Sequence, residues 1–391
     1  MIFRGDEEST DPAEPSGSRF EAPSVSVYLH IPFCDEKCDY CDFYSIPLGH
    51  ESPKDKDLII NRYITAVLKE TERRLEKTPR AATVYIGGGS PSGLGAAGIK
   101  RLLRGLGSLM PPAGEVTVEA NPETADDAFL DACGAGGVTR LSLGVQSFDR
   151  RALEALGRRG GGGDLLRRTA AAAELFGPGL SLDIMSGIPG QTETALRRDI
   201  DRALSYTPGH ISFYALTVEP GTPLARRVAR GLSLPSADAA DRLWLAGRRA
   251  LIRGGYEHYE VSNFALPGRR SVHNIRYWRM ENWIGVGAGA SGTCIGGDGR
   301  GRRISYEPDA GNFISGPLEV TEDLDRPTVL RETLLMGYRY IEGPDPALFQ
   351  KRFGRTIEEA IPRTLAKWGN KEKRLRFLNS FLLDSFMELD Q

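Results

Sequence analysis

Cys34, Cys38 and Cys41 share one eight-residue stretch, although the whole 391-residue chain has only five cysteines. Thiolates at C-x3-C-x2-C spacing can hold three irons of a cubane 4Fe–4S cluster and leave the fourth iron without a protein ligand. An open iron can chelate a small molecule, and an amino acid with free amino and carboxylate groups suits that vacancy. Other chemistries compete for the same residues. A disulfide fits an odd cluster of cysteines poorly. A structural zinc site would take the three thiolates with His30 as fourth ligand. Zinc knuckles usually bring a second distant Cys/His pair, however, and Cys133 and Cys294 stand isolated from each other.

The elements that must position these thiols follow from hydrophobic period. From Ser24 onward, short β-type runs alternate with helical patterns. SVSVYLHI precedes a helix near Asp57–Lys77, TVYIGG one near Ile99–Met110, and EVTVEAN a helix that Thr124 can cap. RLSLGVQS, LSLDIMSGI and HISFYALTV follow, the last leading to a helix over 237–253. Six βα units in series predict an α/β fold with a parallel sheet, and the short strands suit a partial (β/α)6 TIM-like barrel. Barrel chemistry gathers at the C-terminal strand ends, which is where the cysteines and Gly87–Gly89 fall. The expected organisation is an acidic disordered tail over 1–22, a barrel over 23–265, a linker and hairpin region over 266–320, and a small mainly helical module over 321–391.

Bulk composition narrows the class. With 50 Lys and Arg against 52 Asp and Glu, the net charge of -2 argues against a nucleic-acid partner bound through its backbone. No run of eighteen apolar residues predicts a membrane span. The first residues carry no apolar signal-peptide core, which points to a reducing, cytoplasmic location.

Several other residues carry polar chemistry at strand ends. Gly88 and Gly89, followed by Ser90, let a backbone approach a ligand closely and leave carbonyls for an ammonium group. Glu119 is a carboxylate in an otherwise apolar strand, where an unpaired charge is costly. Gln146 and Asp183 are similarly placed. Arg158 could clamp a carboxylate bidentately, although the arginine-rich GRRGGGGDLLRR run leaves the register open. His273, in VHNIRYW, is the histidine with the most distinctive context. A neutral imidazole is a common axial ligand for haem iron, while a lone histidine is more often a hydrogen-bonded structural residue.

In the order HIPFC, GGGSP, VEANPE, LSLGVQSF, SGIPGQT, HISFYALTVEPGT and HNIRYW, the chain resembles the coproporphyrinogen-oxidase-like branch of the radical S-adenosylmethionine (SAM) superfamily over about residues 25–390. The resemblance implies a 4Fe–4S cluster on Cys34, Cys38 and Cys41, with SAM on the open iron. It carries SAM contacts onto Tyr28, Gly88, Gly89, Ser90, Glu119, Gln146, Arg158, Asp183 and Ala215. One-electron reduction of SAM could then give a 5′-deoxyadenosyl radical, and whether this chain cleaves SAM stays open. Two groups share the branch: oxygen-independent coproporphyrinogen III oxidases and haem chaperones. The oxidases carry a further cysteine two residues after the third, where this chain has Phe43. The resemblance therefore favours a haem chaperone with His273 as the haem-associated residue and respiratory haem proteins as acceptors. Peripheral membrane contact and a homodimer stay open. Two departures touch the pattern: Arg159 and Gly160 where GRxH is usual, and Ser291 where GAGAHG has histidine.

Overall fold

A computed structural model describes residues 24–76, 81–110, 113–158 and 162–391. The acidic tail expected over 1–22, and the departures at Arg159 and Gly160, lie outside them. Six strands follow one another as expected: β1 (Val25–Ile31), β2 (Ala81–Gly88), β3 (Glu115–Ala120), β4 (Arg140–Gln146), β5 (Leu180–Ser186) and β6 (His210–Ala215). Each pairs parallel with the next. Crossover helices α1 (Pro53–Leu75), α2 (Gly95–Leu109), α3 (Asp127–Ala135), α4 (Arg150–Ala155), α5 (Gly163–Phe176) and α6 (Glu193–Ser205) connect them. α7 (Pro223–Ala229) and α8 (Ala237–Arg253) follow β6. Helix α3 starts later than Thr124 suggests: the Asp126 side chain caps it, accepting from Phe129 N at 2.8 Å. Thr124 instead bonds Ser92 Oγ at 2.5 Å.

Strand alternation separates two faces. Val27, Leu29, Ile86, Val118, Leu141, Leu143, Leu182 and Phe213 are buried with Ile60, Ile64, Ile99 and Leu102 of α1 and α2 in one apolar core. Each such side chain contributes about 1.5–3 kcal/mol on burial, which fixes strand register against the helices. The alternate residues, among them Ser26, Tyr28, Thr83, Tyr85, Glu119, Ser142 and Asp183, line the inner face and are polar. An apolar outside and a polar inside is the arrangement of a barrel that holds a ligand rather than packing itself solid.

The region over 266–320 is more than a linker with a hairpin. Just ahead of it, β7 (Glu257–Glu260) pairs antiparallel with β8 (Asn263–Ala265), which itself adds antiparallel to β6. The chain then forms α9 (Val272–Trp278) and returns as β9 (Trp283–Val286), parallel to β1 with Tyr28 opposite Gly285. α9 is the crossover that makes this parallel return feasible. The expected hairpin is present as β10 (Ser291–Ile295) and β11 (Gly301–Tyr306), and β12 (Glu319–Leu324) joins it after α10 (Ala310–Ser315). Among the described residues the sheet thus has 12 strands, in the order β12-β11-β10-β9-β1-β2-β3-β4-β5-β6-β8-β7, and it does not close. Helices from Arg326–Gly337 to Leu378–Leu389 form the C-terminal module around Val329, Leu334, Phe349, Ile361 and Phe381.

Candidate functional site

The cysteine loop leaves β1 and is tied down at several points. Phe33–Cys34 pairs with Ile46–Pro47, and Leu48 N donates to Cys34 O at 2.8 Å. Asp39, between the second and third cysteines, donates its N–H to Leu156 O at 3.0 Å and accepts from Leu224 N at 2.8 Å. Arg227 grips its carboxylate at 2.6 Å. Cys34 is buried, and Cys38 and Cys41 are partly exposed. Burial, then the neighbouring thiols, pushes Cys34 up to about 12, and burial raises Cys38 and Cys41 as well. Metal binding here would therefore release protons.

Gly88 and Gly89 run against this loop. Gly88 has φ 118, outside the range of most L-residues, and a Cβ there would meet the His30 ring at 2.9 Å. A Cβ on Gly89 would stand 3.0 Å from Cys34 Sγ. The glycine run is thus a cradle beside the first thiol. Ser90 is buried, its hydroxyl 2.8 Å from Ser92 Oγ.

His30 has both ring nitrogens engaged, Nδ1 with the Tyr28 hydroxyl at 3.0 Å and Nε2 with Tyr44 O at 3.0 Å. It has no nitrogen left for zinc, so the three-thiolate-plus-His30 site is not built here. Among the described residues no three His, Cys, Asp or Glu side chains converge to hold a single metal ion. A cubane places its three protein sulfurs on three different irons, and three tethered thiols beside a glycine cradle fit that demand.

Inside the barrel the polar residues form a connected layer. Tyr85, which sequence reasoning passed over, donates to Glu119 Oε1 at 2.6 Å, and Gly88 N donates to Oε2 at 3.2 Å. Its signal was present: it alternates with Val84 and Ile86 two residues before the glycines. Burial raises the Glu119 carboxyl, and Tyr85 and Gly88 partly offset this. Asp183 accepts from Ser142 Oγ at 3.2 Å and is pushed up to about 7 by burial, with Glu119 adding to the rise. Tyr28, Glu119 and Asp183 are therefore brought into one electrostatic neighbourhood. Gln146 accepts from the Tyr214 hydroxyl at 2.7 Å and sits at φ 64, a conformation unusual for a residue other than glycine. Ala215 ends β6 opposite Ser186 and is exposed.

Arg158 is buried near Cys38 and is already bound. Its Nη2 donates to both Glu123 oxygens at 2.7 and 2.5 Å, and Nη1 to Gly144 O at 2.5 Å. Arg158, Glu123, Cys38 and Asn121 line a cavity of about 290 Å³. The guanidinium lies beside Cys38, but a ligand carboxylate would have to share it with Glu123, a partner the sequence did not suggest.

His273 lies elsewhere. It is 0% exposed, under the N-terminal halves of β1 to β3, with Nδ1 on Thr83 Oγ1 at 2.8 Å and its ring 5.0 Å from Tyr85. Burial, then Arg276, lowers its pKa to about 3, so the ring is neutral. Nε2 has no partner. A side chain with no exposed surface does not reach a haem unless α9 moves. The reason is Glu115: its carboxylate accepts from Val272 N at 3.1 Å and His273 N at 2.8 Å while pairing with Arg140 at 3.1 Å. Arg276 also ties α9 to Ser26 Oγ at 2.8 Å. HNIRYW thus forms the floor of the barrel.

Residues 28–203 match the Radical SAM superfamily. The heme chaperone HemW of Escherichia coli (strain K12) is 36% identical over 378 residues, covering 92% of this chain and 97% of its own length. This chain belongs to the HemW family of radical SAM proteins. HemW of Bacillus subtilis (strain 168) is 32% identical, covering 88% of this chain and 91% of its own length. The solved structure of E. coli coproporphyrinogen III oxidase (HemN), a radical SAM enzyme, superposes with a TM-score of 0.76 over 96% of this chain and 92% of its own. At 18% identity that likeness concerns the fold alone.

Proposed function

We propose that this protein is a haem chaperone: it binds haem and hands it to haem proteins, with a 4Fe–4S cluster on Cys34, Cys38 and Cys41 and SAM over the strand ends. The observation that carries this reading is 36% identity along 97% of a protein named heme chaperone HemW. The cluster and SAM supply one-electron chemistry when bound, and the protein supplies position and exclusion of water. Gly88, Gly89 and Ser90 would receive the SAM amino group, Glu119 the ribose hydroxyls, and Arg158 the carboxylate after yielding one Glu123 contact. Gln146, Asp183, Tyr28 and Ala215 would close around the nucleoside. Glu119 suits its role because its two oxygens are held in place by Tyr85 and Gly88.

The second reading is oxygen-independent coproporphyrinogen III oxidation, which the HemN fold permits. Phe43 stands where that group carries its additional cysteine, and its ring is 63% exposed. The two readings separate in one anaerobic assay with cluster-loaded protein, SAM, a strong reductant and coproporphyrinogen III. The chaperone reading expects no decarboxylated porphyrinogen above a protein-free control. Catalytic accumulation of that product, many turnovers per chain, would replace it with the oxidase reading.

A further inference from the structure

We propose that Tyr85 couples the SAM site to His273, so that SAM on Glu119 loosens α9 and makes the His273 imidazole available to haem. The proposal rests on the haem-chaperone reading, with SAM at Glu119 and His273 as the haem-associated residue.

His273 is held as a ligand would be. Its Nδ1 is fixed by Thr83 Oγ1 at 2.8 Å, while Nε2 is buried and has no hydrogen-bond partner among the described residues. Folded proteins seldom leave such an atom unpaired, and a neutral imidazole with one nitrogen oriented and the other free is the form that binds a metal. Thr117 Oγ1 is also buried and unpaired, and Thr117 stands opposite Tyr85 in the sheet.

Tyr85 closes the histidine in from one side and Glu115 from the other. The Tyr85 ring lies 5.0 Å from the His273 ring, which packs in turn on Tyr277 of α9 at 4.6 Å. The Tyr85 hydroxyl donates to Glu119 at 2.6 Å. One side chain therefore touches both the carboxylate assigned to the ribose and the ring assigned to haem. A carboxylate accepts about four donors, and Tyr85 and Gly88 N are two of them on Glu119. A ribose diol would add two more, and donors crowded on one charge repel each other, so each is held less tightly. Tyr85 is then freer to leave the His273 ring, which removes one restraint on α9 and leaves Glu115, on the Val272 and His273 amides, as the other. Such a coupling is reciprocal: haem on His273 must favour SAM by the factor with which SAM favours haem.

The test compares wild type with Tyr85→Phe, which keeps the ring and loses the hydroxyl. Both are full-length, cluster-loaded and anaerobic, without reductant, so that SAM stays whole. Amide hydrogen exchange over residues 272–278 is expected to quicken about fivefold when SAM saturates wild type, and not to respond in Tyr85→Phe. Haem, titrated at the Soret band, is expected to bind wild type about fivefold or more tightly with SAM than without, and to bind Tyr85→Phe equally well either way. A Tyr85 with only a packing role would leave the SAM response intact in the variant, and that result overturns the proposal. Unchanged exchange in SAM-saturated wild type overturns it too, whatever haem does. Wild type that binds no haem overturns the carrier reading and the haem half of this proposal, while exchange in α9 still decides the coupling to SAM.

Discussion

A Glu115→Ala chain is expected to lose about 3–5 kcal/mol of unfolding free energy, because it strands a buried cation. Glu115 and Arg140 have side chains only 8% and 9% exposed and pair at 3.1 Å. The Arg140 guanidinium also donates to Arg269 O and Arg270 O at 3.0 and 3.1 Å, so it cannot retreat to water without unpicking the segment before α9. Removing the carboxylate also orphans the Val272 and His273 amides. Urea unfolding followed by far-UV circular dichroism measures the loss. Trp278 on α9 and Trp283 just after it, through their fluorescence, report whether this element loosens first. Glu115→Gln keeps an oxygen for the amides and should lose less. Glu115→Ala with Arg140→Met should recover part of the loss, since the uncompensated charge is gone. A loss below about 1 kcal/mol for Glu115→Ala would mean that the ring contacts of Tyr85, Tyr277 and Trp278 hold the floor without it.

Substituting serine for any one of Cys34, Cys38 and Cys41 is expected to abolish the iron–sulfur chromophore, with iron and acid-labile sulfide falling from roughly four per chain to background. Each thiol of the trio would hold its own iron, so removing one leaves the cubane short of a protein ligand. Cys133→Ser and Cys294→Ser serve as controls. Cys133 is fully buried in the apolar core and pushed up to about 12 by burial, the environment of an inert thiol. Cys294 is exposed on β10, in the antiparallel part of the sheet. Both controls should keep full iron. Zinc in place of iron, or a cluster that survives Cys38→Ser, would contradict the assignment.

Much of the barrel was legible because its alternation is regular. Each of the six serial strands carries branched apolar residues on one face, and each is followed by a helical period. The cysteine spacing and the glycine run declared themselves in the same way, as local patterns. What stayed hidden depends on partners far along the chain. Trp283–Val286 is four residues with a glycine at Gly285, too short for a period, and its place beside β1 is decided by α9. Arg158 reads as a free clamp until Glu123 is seen across 35 residues. His273 reads as an available ligand until Glu115, 158 residues earlier, is seen drawing its amide inward. Buried carboxylates that bind distant backbone leave little trace in a single sequence, since the same Glu at a strand start could equally face water.

The most direct test of the central claim is equilibrium titration of anaerobically purified, cluster-loaded protein with haem, followed at the Soret band, with His273→Ala run beside wild type. The account predicts saturable binding near one haem per chain in wild type, lost or much weakened in a His273→Ala variant whose circular dichroism and iron content match wild type. Unchanged affinity in that variant would remove His273 from the haem site. No saturable binding in either protein would contradict the haem-carrier account as a whole.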